Sequence, residues 1–428
     1  MELKRVVVTG VGAITPLGND VESTWKAALN GVSGAGPIAH FDASLFKTQF
    51  ACEVKDFDFK MAMLNPDDRA EMKDVRRTDL YTQYALAAAK QAVADARLMD
   101  DGAFDRNEVG VIFASGIGGL HTFEVEAGNY AKNEAAGPRF SPFFIPTMIA
   151  DIAAGQISMR YGLRGPNFGI VSACATSTNA LIDAFNYVRL GKATAIVTGG
   201  SEAPIFPAGV GGFNAMRAIS TRNDDPKTAS RPFSASRDGF VIGEGSVCLV
   251  FEELEHALAR GAKIYGEVIG GGLSADAHHI TAPHPEALGA KLVMRRAIDD
   301  AGIKPSDVDY VNVHGTSTPL GDVGEAMAIK DVFGEHAYQL NISSTKSMTG
   351  HMLGATGAME ALFCLLACQN DIVPPTINHQ DDDNDEQIDY KMNFTFNKPQ
   401  QREVNIALSN TFGFGGHNAS IIVKKFKG

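Results

Sequence analysis

The chain has 428 residues, 45% of them hydrophobic and 21% charged, which is an ordinary globular composition with enough apolar residues for a large core. Its formal net charge of −12 argues against general nucleic-acid binding, although one local basic patch can still receive an acidic partner. The five cysteines are scattered without a disulfide framework, and neither a signal peptide nor a long apolar run is visible. We therefore expect a cytoplasmic protein that makes no membrane contact.

The first part of the chain alternates short β-branched runs with helical patterns. Predicted strands cover residues 5–11, 109–114, 167–172, 193–198 and 245–252, and predicted helices cover residues 20–29, 79–96 and 174–190. This alternation is typical of α/β layers with buried sheets.

The second part of the chain repeats this order of strands and helices, with the boundary between the two parts near Gly261. Predicted strands cover residues 263–271, 308–313, 339–343, 405–409 and 419–424, and predicted helices cover residues 286–301, 324–333 and 355–369. The pattern predicts two related βαβαβαββ halves, residues 1–260 and 261–428. The acidic stretch 381–386 is predicted to be a solvated loop. A calcium site is the minor alternative, because the spacing does not match the EF-hand loop.

Cys174 is the first candidate for chemistry. It follows a predicted strand and opens a predicted helix, where unpaired N–H groups and the helix dipole favour negative charge. A thiol in this position is expected to ionise more easily, and the same N–H groups can hold an oxyanion. An inert buried cysteine is the alternative, since buried cysteines are common.

Two histidines make a catalytic interpretation stronger. His314 follows the apolar run Tyr310-Val-Asn-Val, and His351 follows the small, polar run Ser343-Ser-Thr-Lys-Ser-Met-Thr-Gly. Both stand at strand-to-helix junctions, where sites form in α/β sheets. A fourth motif, Phe412-Gly-Phe-Gly-Gly416, permits close approach of its backbone to a ligand, although a plain β-turn is the alternative.

These motifs together resemble the β-ketoacyl-acyl carrier protein synthase family, in its elongating synthase I/II branch and most closely synthase II. The resemblance runs from Val6-Val-Val-Thr-Gly to Gly413-Phe-Gly-Gly416 and includes the Cys-His-His set. It implies a thiolase-like fold of two related halves in five α-β-α-β-α layers, a homodimer, no cofactor and no metal. It also implies decarboxylative condensation of an acyl thioester with malonyl-acyl carrier protein.

The resemblance implies a role for each matching residue. Cys174 receives the acyl group, and His314 and His351 promote decarboxylation of the malonyl thioester and should be neutral while they do so. The other implied residues are the ion pair of Lys346 with Glu360, the oxyanion donor and aromatic gate Phe412 with Gly413, the acyl-pocket residue Ile117, the pantetheine contacts Thr316 and Thr318, and the carrier-docking residues Lys73, Arg76, Arg77, Arg139 and Arg217.

Three departures from the family pattern bear on chain-length preference. The nucleophile motif reads Ser172-Ala-Cys-Ala-Thr-Ser, His417 stands where threonine is usual, and the segment 128–137 differs in length. A specialised polyketide synthase therefore stays open as an alternative. A nicotinamide oxidoreductase is disfavoured because Gly10-Val-Gly-Ala-Ile-Thr15 lacks a third glycine, and a non-catalytic chain-length factor is disfavoured because Cys174 is present.

Overall fold

The computed structural model describes residues 3–63 and 77–428. Its strands are β1 Val6–Ile14, β2 Gly36–Pro37, β3 Phe50–Ala51, β4 Val109–Ala114, β5 Asn167–Phe168, β6 Ala195–Glu202, β7 Gly245–Glu253, β8 Gly266–Ala275, β9 Tyr310–Asn312, β10 Asn341–Ser343, β11 Ile372–Val373, β12 Gln400–Gln401, β13 Ile406–Gly413 and β14 His417–Lys424. Its α-helices are α1 Val21–Leu29, α2 Phe59–Met63, α3 Leu80–Asp95, α4 Leu120–Lys132, α5 Phe144–Met148, α6 Ile152–Tyr161, α7 Thr176–Arg189, α8 Pro207–Ala215, α9 Leu254–Ala259, α10 Leu288–Ala301, α11 Pro319–Phe333, α12 Lys346–Thr349 and α13 Thr356–Asn370.

The main sheet shows the predicted duplication. Within the described ranges it has ten strands in the order β10-β9-β13-β14-β8-β1-β7-β6-β4-β5. Each group of five strands has the same internal order when it is read from the outer edge of the sheet towards the middle. If the strands of a group are numbered along the chain, this order is 3-2-4-5-1. The two groups meet where residues 6–8 of β1 pair antiparallel with residues 266–268 of β8.

Two helices, α7 and α13, form the middle layer of the molecule. They contact each other, and each contacts strands of both halves. Helix α13 is buried at every position from Thr356 to Cys368, as its nearly continuous apolar sequence requires. Helices α3 and α10 cover the outer faces of the two half-sheets. The result is the predicted five-layer α-β-α-β-α arrangement.

Several element boundaries differ from the sequence prediction. The strand predicted for residues 167–172 ends at Phe168, because it is an edge strand that pairs only with Val111 and Ile112. The helix predicted from residue 324 begins at Pro319, since proline fits the first helical position, where no N–H donor is needed. Helices α4 and α6 were not predicted. No helix of the described residues is long and apolar enough to cross a bilayer.

The prediction of a purely solvated acidic loop at residues 381–386 is partly wrong. Asp385 forms an ion pair at 2.7 Å with the buried Arg237, and Asp383 lies 3.7 Å from Arg231. These two carboxylates turn inward because each buried guanidinium needs an anionic partner.

The glycines near the N-terminus do not form a dinucleotide-binding turn. Gly10 and Gly12 lie inside β1, and a Cβ on Gly10 would stand 2.3 Å from the carbonyl oxygen of Ala92 in α3. They therefore permit close packing of a helix on a strand, which removes the basis for the nicotinamide alternative.

Candidate active site

The fold brings Cys174, His314 and His351 to one cavity of about 610 Å³. Cys174 comes from the turn before α7, His314 follows β9, and His351 precedes α13. The wall of the cavity also includes the predicted residues Ile117, Thr316, Thr318, Arg217, Phe412 and Gly413. Residues far apart in the sequence thus meet because the two halves are duplicated and face each other across the middle layer.

The turn that carries Cys174 is strained and tightly packed. Cys174 lies in the 3-10 turn Ala173–Ala175 rather than in the first turn of the helix, and Ala173 has a φ of +50°. Such a backbone angle is unfavourable for alanine and is held only by its surroundings. Gly413 packs against this turn so closely that a Cβ would stand 3.0 Å from the Cys174 nitrogen.

The environment of the thiol corrects the expectation that it ionises easily. Burial raises the pKa of Cys174 to about 12, although the Lys346 charge and the backbone N–H of Phe414 act in the opposite direction. The thiol therefore keeps its proton at neutral pH. Its sulfur lies 3.0 Å from Nε2 of His351, which is the atom positioned to take that proton.

Both imidazoles are neutral at pH 7, as expected. Burial, followed by the Lys346 charge, lowers the pKa of His314 and of His351 well below the usual value. The two rings lie edge to face with centroids 5.3 Å apart. Nδ1 of His351 is 3.1 Å from the Thr356 hydroxyl, which can donate or accept and so can serve either tautomer.

A carboxylate that the sequence analysis missed holds the loop of His314. Glu325 on α11 accepts hydrogen bonds from the backbone N–H of His314 at 2.9 Å and of Gly315 at 2.7 Å. The amide of Asn410 donates to the same side chain at 3.1 Å. Glu325 is completely enclosed, and burial raises its pKa to about 7. The sequence analysis did not single out this contact, because the donors come from two segments, residues 314–315 and Asn410, that meet only in the folded chain.

Lys346 and Glu360 form a buried ion pair, with 2% and 1% of their side chains exposed. Lys346 begins α12, which leads to His351, and Glu360 lies on α13. Burial raises the pKa of Glu360 to about 8, while the Lys346 charge lowers it. The pair links the loop of His351 to the middle layer and puts a positive charge near the site.

The backbone donor at the sulfur differs from the prediction. The N–H of Phe414, together with that of Cys174 itself, hydrogen-bonds the sulfur of Cys174, whereas the prediction named Phe412. Phe412 is instead a residue of β13, with its ring 5.6 Å from the ring of His314. Phe414 is therefore the better candidate for the second oxyanion donor, because the chain turns after Gly413 and brings this N–H to the nucleophile.

Two threonine hydroxyls line one side of the cavity. The hydroxyls of Thr316 and Thr318 are 3.0 Å apart, in a loop whose Ser317 has a φ of +66°. Asp322, which the sequence analysis also missed, accepts a hydrogen bond from Ser317 N at 3.1 Å and is buried. Arg217 is exposed and lies on the same wall.

The remaining predicted docking residues are only partly described. Lys73 and Arg76 lie outside the described residues. Arg77 is exposed, with its guanidinium 4.7 Å from the ring centroid of Phe143, and Arg139 is exposed. For metals, the described ranges contain no group of three or more histidine, cysteine or acidic side chains suited to one ion.

A nucleophilic thiol, two neutral imidazoles and two converging backbone N–H groups define an acyl-transferring, thioester-condensing enzyme of the thiolase-like fold. Comparison with known sequences gives the family. The beta-ketoacyl synthase N-terminal domain matches residues 3–257, and the beta-ketoacyl synthase C-terminal domain matches residues 265–380. The chain belongs to the β-ketoacyl synthase family.

Full-length relatives and solved structures agree with this assignment. The chain is 49% identical over 426 residues to 3-oxoacyl-[acyl-carrier-protein] synthase 2 of Staphylococcus aureus strain N315, and 47% identical to that of Coxiella burnetii, with 99% of each chain covered in both cases. A β-ketoacyl synthase from Burkholderia phymatum has a TM-score of 0.89 at 32% identity, covering 99% of this chain and 100% of that one. A type II polyketide synthase acyl-carrier protein in complex with its ketosynthase has a TM-score of 0.85 at 31% identity over the full length of both chains.

Proposed function

We propose that this β-ketoacyl synthase elongates fatty acids by condensing an acyl chain, carried on Cys174, with malonyl-acyl carrier protein. The distance of 3.0 Å between the Cys174 sulfur and Nε2 of His351 carries the proposal, because it gives the high-pKa thiol a base. The relatives named as 3-oxoacyl-[acyl-carrier-protein] synthase 2 are 47–49% identical, which supports the fatty-acid pathway.

In the first half-reaction, His351 Nε2 takes the thiol proton as the sulfur attacks the acyl thioester carbon. The N–H groups of Cys174 and Phe414 stabilise the tetrahedral oxyanion, and the proton passes to the leaving carrier thiolate. A buried, uncharged imidazole suits this task because it can accept one proton and return it.

In the second half-reaction, the carboxylate of the malonyl thioester leaves as carbon dioxide and its bonding electrons form an enolate. His314 and His351 each donate a hydrogen bond to the thioester oxygen from Nε2, which neutral imidazoles can do. For His351 this is the neutral tautomer opposite to the one that accepts the thiol proton, and the Thr356 hydroxyl beside Nδ1 can serve either tautomer. The enolate carbon then attacks the acyl carbon on Cys174, and the cysteine sulfur leaves as a thiolate. One proton from solvent restores the Cys174 thiol and replaces the proton that the first half-reaction gave to the carrier thiol. Lys346 and Glu360 act by fixing the loop of His351.

The pathway is tested by the acyl-enzyme and by the product. Mass spectrometry after incubation with acyl-acyl carrier protein should find the acyl group on Cys174, and Cys174→Ala should abolish it. With malonyl-acyl carrier protein, the enzyme should release a chain two carbons longer. Acyl transfer that survives Cys174→Ala would remove the basis of the proposal, and iterative formation of poly-β-keto chains would favour a specialised polyketide synthase.

We also propose that the chain consists of two duplicated halves, residues 1–260 and 261–428. Two copies of the chain form a homodimer in the cytoplasm. Strand β5 lies at an edge of the sheet, and α4 has no buried residue. Large apolar side chains are exposed on α4 and in the segments that follow it, namely Phe123, Val125, Tyr130, Phe140, Phe143, Ile145, Ile149 and Val171. A monomeric protein seldom exposes so many large apolar residues in neighbouring segments. Sedimentation should give a dimer, and Phe123→Glu should weaken it.

An acyl carrier protein is the proposed partner beside the cavity. Arg217 lies there, and Arg77 and Arg139 are exposed cations on the same half of the chain. The acidic total charge makes a local positive patch necessary if an acidic carrier is to dock.

A further inference from the structure

Glu202 is a buried carboxylate in the cavity wall to which no step of the condensation assigns a role. It ends β6 and has no exposed surface. Oε1 accepts hydrogen bonds from the Ser115 hydroxyl at 3.0 Å and from Ile117 N at 3.1 Å. Oε2 accepts from Gly116 N and from Gly354 N, both at 2.9 Å. One side chain therefore satisfies four donors from two segments that are far apart in the sequence.

The backbone is shaped closely around this carboxylate. A Cβ on Gly116 would stand 2.8 Å from Oε2, and a Cβ on Gly354 would stand 2.5 Å from the same atom. Real Cβ atoms do not approach so closely, so both positions require glycine if the carboxylate is to keep its contacts. The backbone at both positions is therefore adapted to hold the Glu202 carboxylate.

The two segments that Glu202 joins are the acyl-pocket loop and the turn after His351. Gly354 lies in the 3-10 turn Leu353–Ala355, which leads into α13 as the turn of Cys174 leads into α7. Both turns start with a positive φ, +46° at Leu353 and +50° at Ala173. Gly354 is thus the counterpart of Cys174 in the second half, and its N–H faces the side chain of Glu202 where the N–H of Cys174 faces the reacting group.

Ile117 depends on this carboxylate for its position. Its N–H donates to Glu202, and it lies between Gly116 and Gly118, which has a φ of +72°. The side chain of Ile117 lines the cavity, and the residue is 38% exposed, so packing alone does not fix it. The Ser115 hydroxyl also stabilises the Ile117 loop, because it accepts a hydrogen bond from the N–H of Gly118 at 3.0 Å.

We propose that Glu202 is a positioning residue that sets acyl-chain selectivity by clamping the Ile117 loop to the turn after His351. The inference rests on the proposed acyl transfer to Cys174. While the clamp is intact, Ile117 restricts the acyl end of the cavity. Once the clamp is loosened, the loop yields and long chains enter more easily, whereas short chains, which do not reach Ile117, are affected little.

The test compares Glu202→Gln with Glu252→Gln in the full-length enzyme. Glutamine keeps the shape of Glu202 but turns an NH₂ group toward donors, so it breaks at least one contact. Glu252 is an equally buried carboxylate on the adjacent strand β7, where it accepts from Thr9, His256 and Arg260 outside the cavity. The readout is the rate of Cys174 acylation by acyl carrier proteins loaded with a short, a medium or a long chain.

Glu202→Gln should raise the ratio of long-chain to short-chain acylation rates about tenfold, the weight of one hydrogen bond to a charged group. Glu252→Gln should leave the ratio unchanged, whatever it does to the melting temperature. If Glu202→Gln does not fold, Ser115→Ala, which removes only one donor, should shift the ratio in the same direction.

Three results would overturn the inference: an unchanged ratio in a folded Glu202→Gln or Ser115→Ala enzyme, an equal loss for all chain lengths, or the same shift with Glu252→Gln. Wild-type enzyme that fails to acylate Cys174 with any chain would instead overturn the proposed function and, with it, this inference.

Discussion

Replacement of His351 by alanine should change how the reactivity of Cys174 depends on pH. Because burial raises the pKa of the thiol to about 12, almost no free thiolate is present at pH 7. The imidazole 3.0 Å away removes the proton during attack, and such a base contributes roughly 10²- to 10⁴-fold. We therefore expect His351→Ala to slow alkylation of Cys174 at pH 7 by at least about 10²-fold.

The direction in which the alkylation rate changes with pH follows from the protonation states of Cys174 and His351. In the wild type, the reactive form is the thiol beside a neutral His351, whose pKa is well below its usual value. Its abundance is constant between that pKa and the pKa of the thiol, so the rate should be flat from about pH 6 to 9. Without His351 the reactive form is the free thiolate, and the rate should rise about tenfold per pH unit.

Iodoacetamide labelling followed by mass spectrometry of the Cys174 peptide measures these rates. The matched control is His314→Ala, because the contact to the sulfur is made by His351; this variant should keep the flat profile yet lose malonyl decarboxylation. A His351→Ala enzyme that is alkylated at the wild-type rate, or that retains a flat profile, would show that His351 does not accept the thiol proton.

Three further changes test other parts of the site. Lys346→Met should lower the free energy of unfolding by about 3–5 kcal/mol, because it leaves the Glu360 carboxyl buried without its partner. In chemical denaturation, the double variant Lys346→Met with Glu360→Gln should recover most of this loss. Simple additivity of the two changes would contradict the pairing. Ile117→Phe should shorten the accepted acyl chain because the larger ring fills the cavity wall, and an unchanged chain-length profile would refute this role. Charge reversal at Arg76 and Arg77 should raise KM for carrier-bound substrates but spare a small pantetheine thioester, with an effect that weakens in salt; equal losses with both substrates would place docking elsewhere.

Local patterns in the sequence were enough to identify the reactive groups and the architecture. Cys174, His314 and His351 could be found because each stands at a strand-to-helix junction in a short, distinctive motif. The duplicated order of strands and helices was readable because buried strands and amphipathic helices leave local hydrophobic patterns of different period. Boundaries were less certain where tertiary contacts end an element, as at β5 and at the turn of Cys174.

Tertiary structure alone decided how these groups behave. Glu202 accepts from the N–H of Gly354, and Glu325 accepts from the side-chain amide of Asn410; both donors are distant in sequence, so no local motif marks these contacts. The N–H that reaches the Cys174 sulfur is that of Phe414, whereas the motif pointed to Phe412, because the direction of an N–H depends on where the chain turns. A helix start favours a thiolate, but complete burial of Cys174 outweighs it, since desolvation depends on every surrounding segment and local sequence does not contain that information.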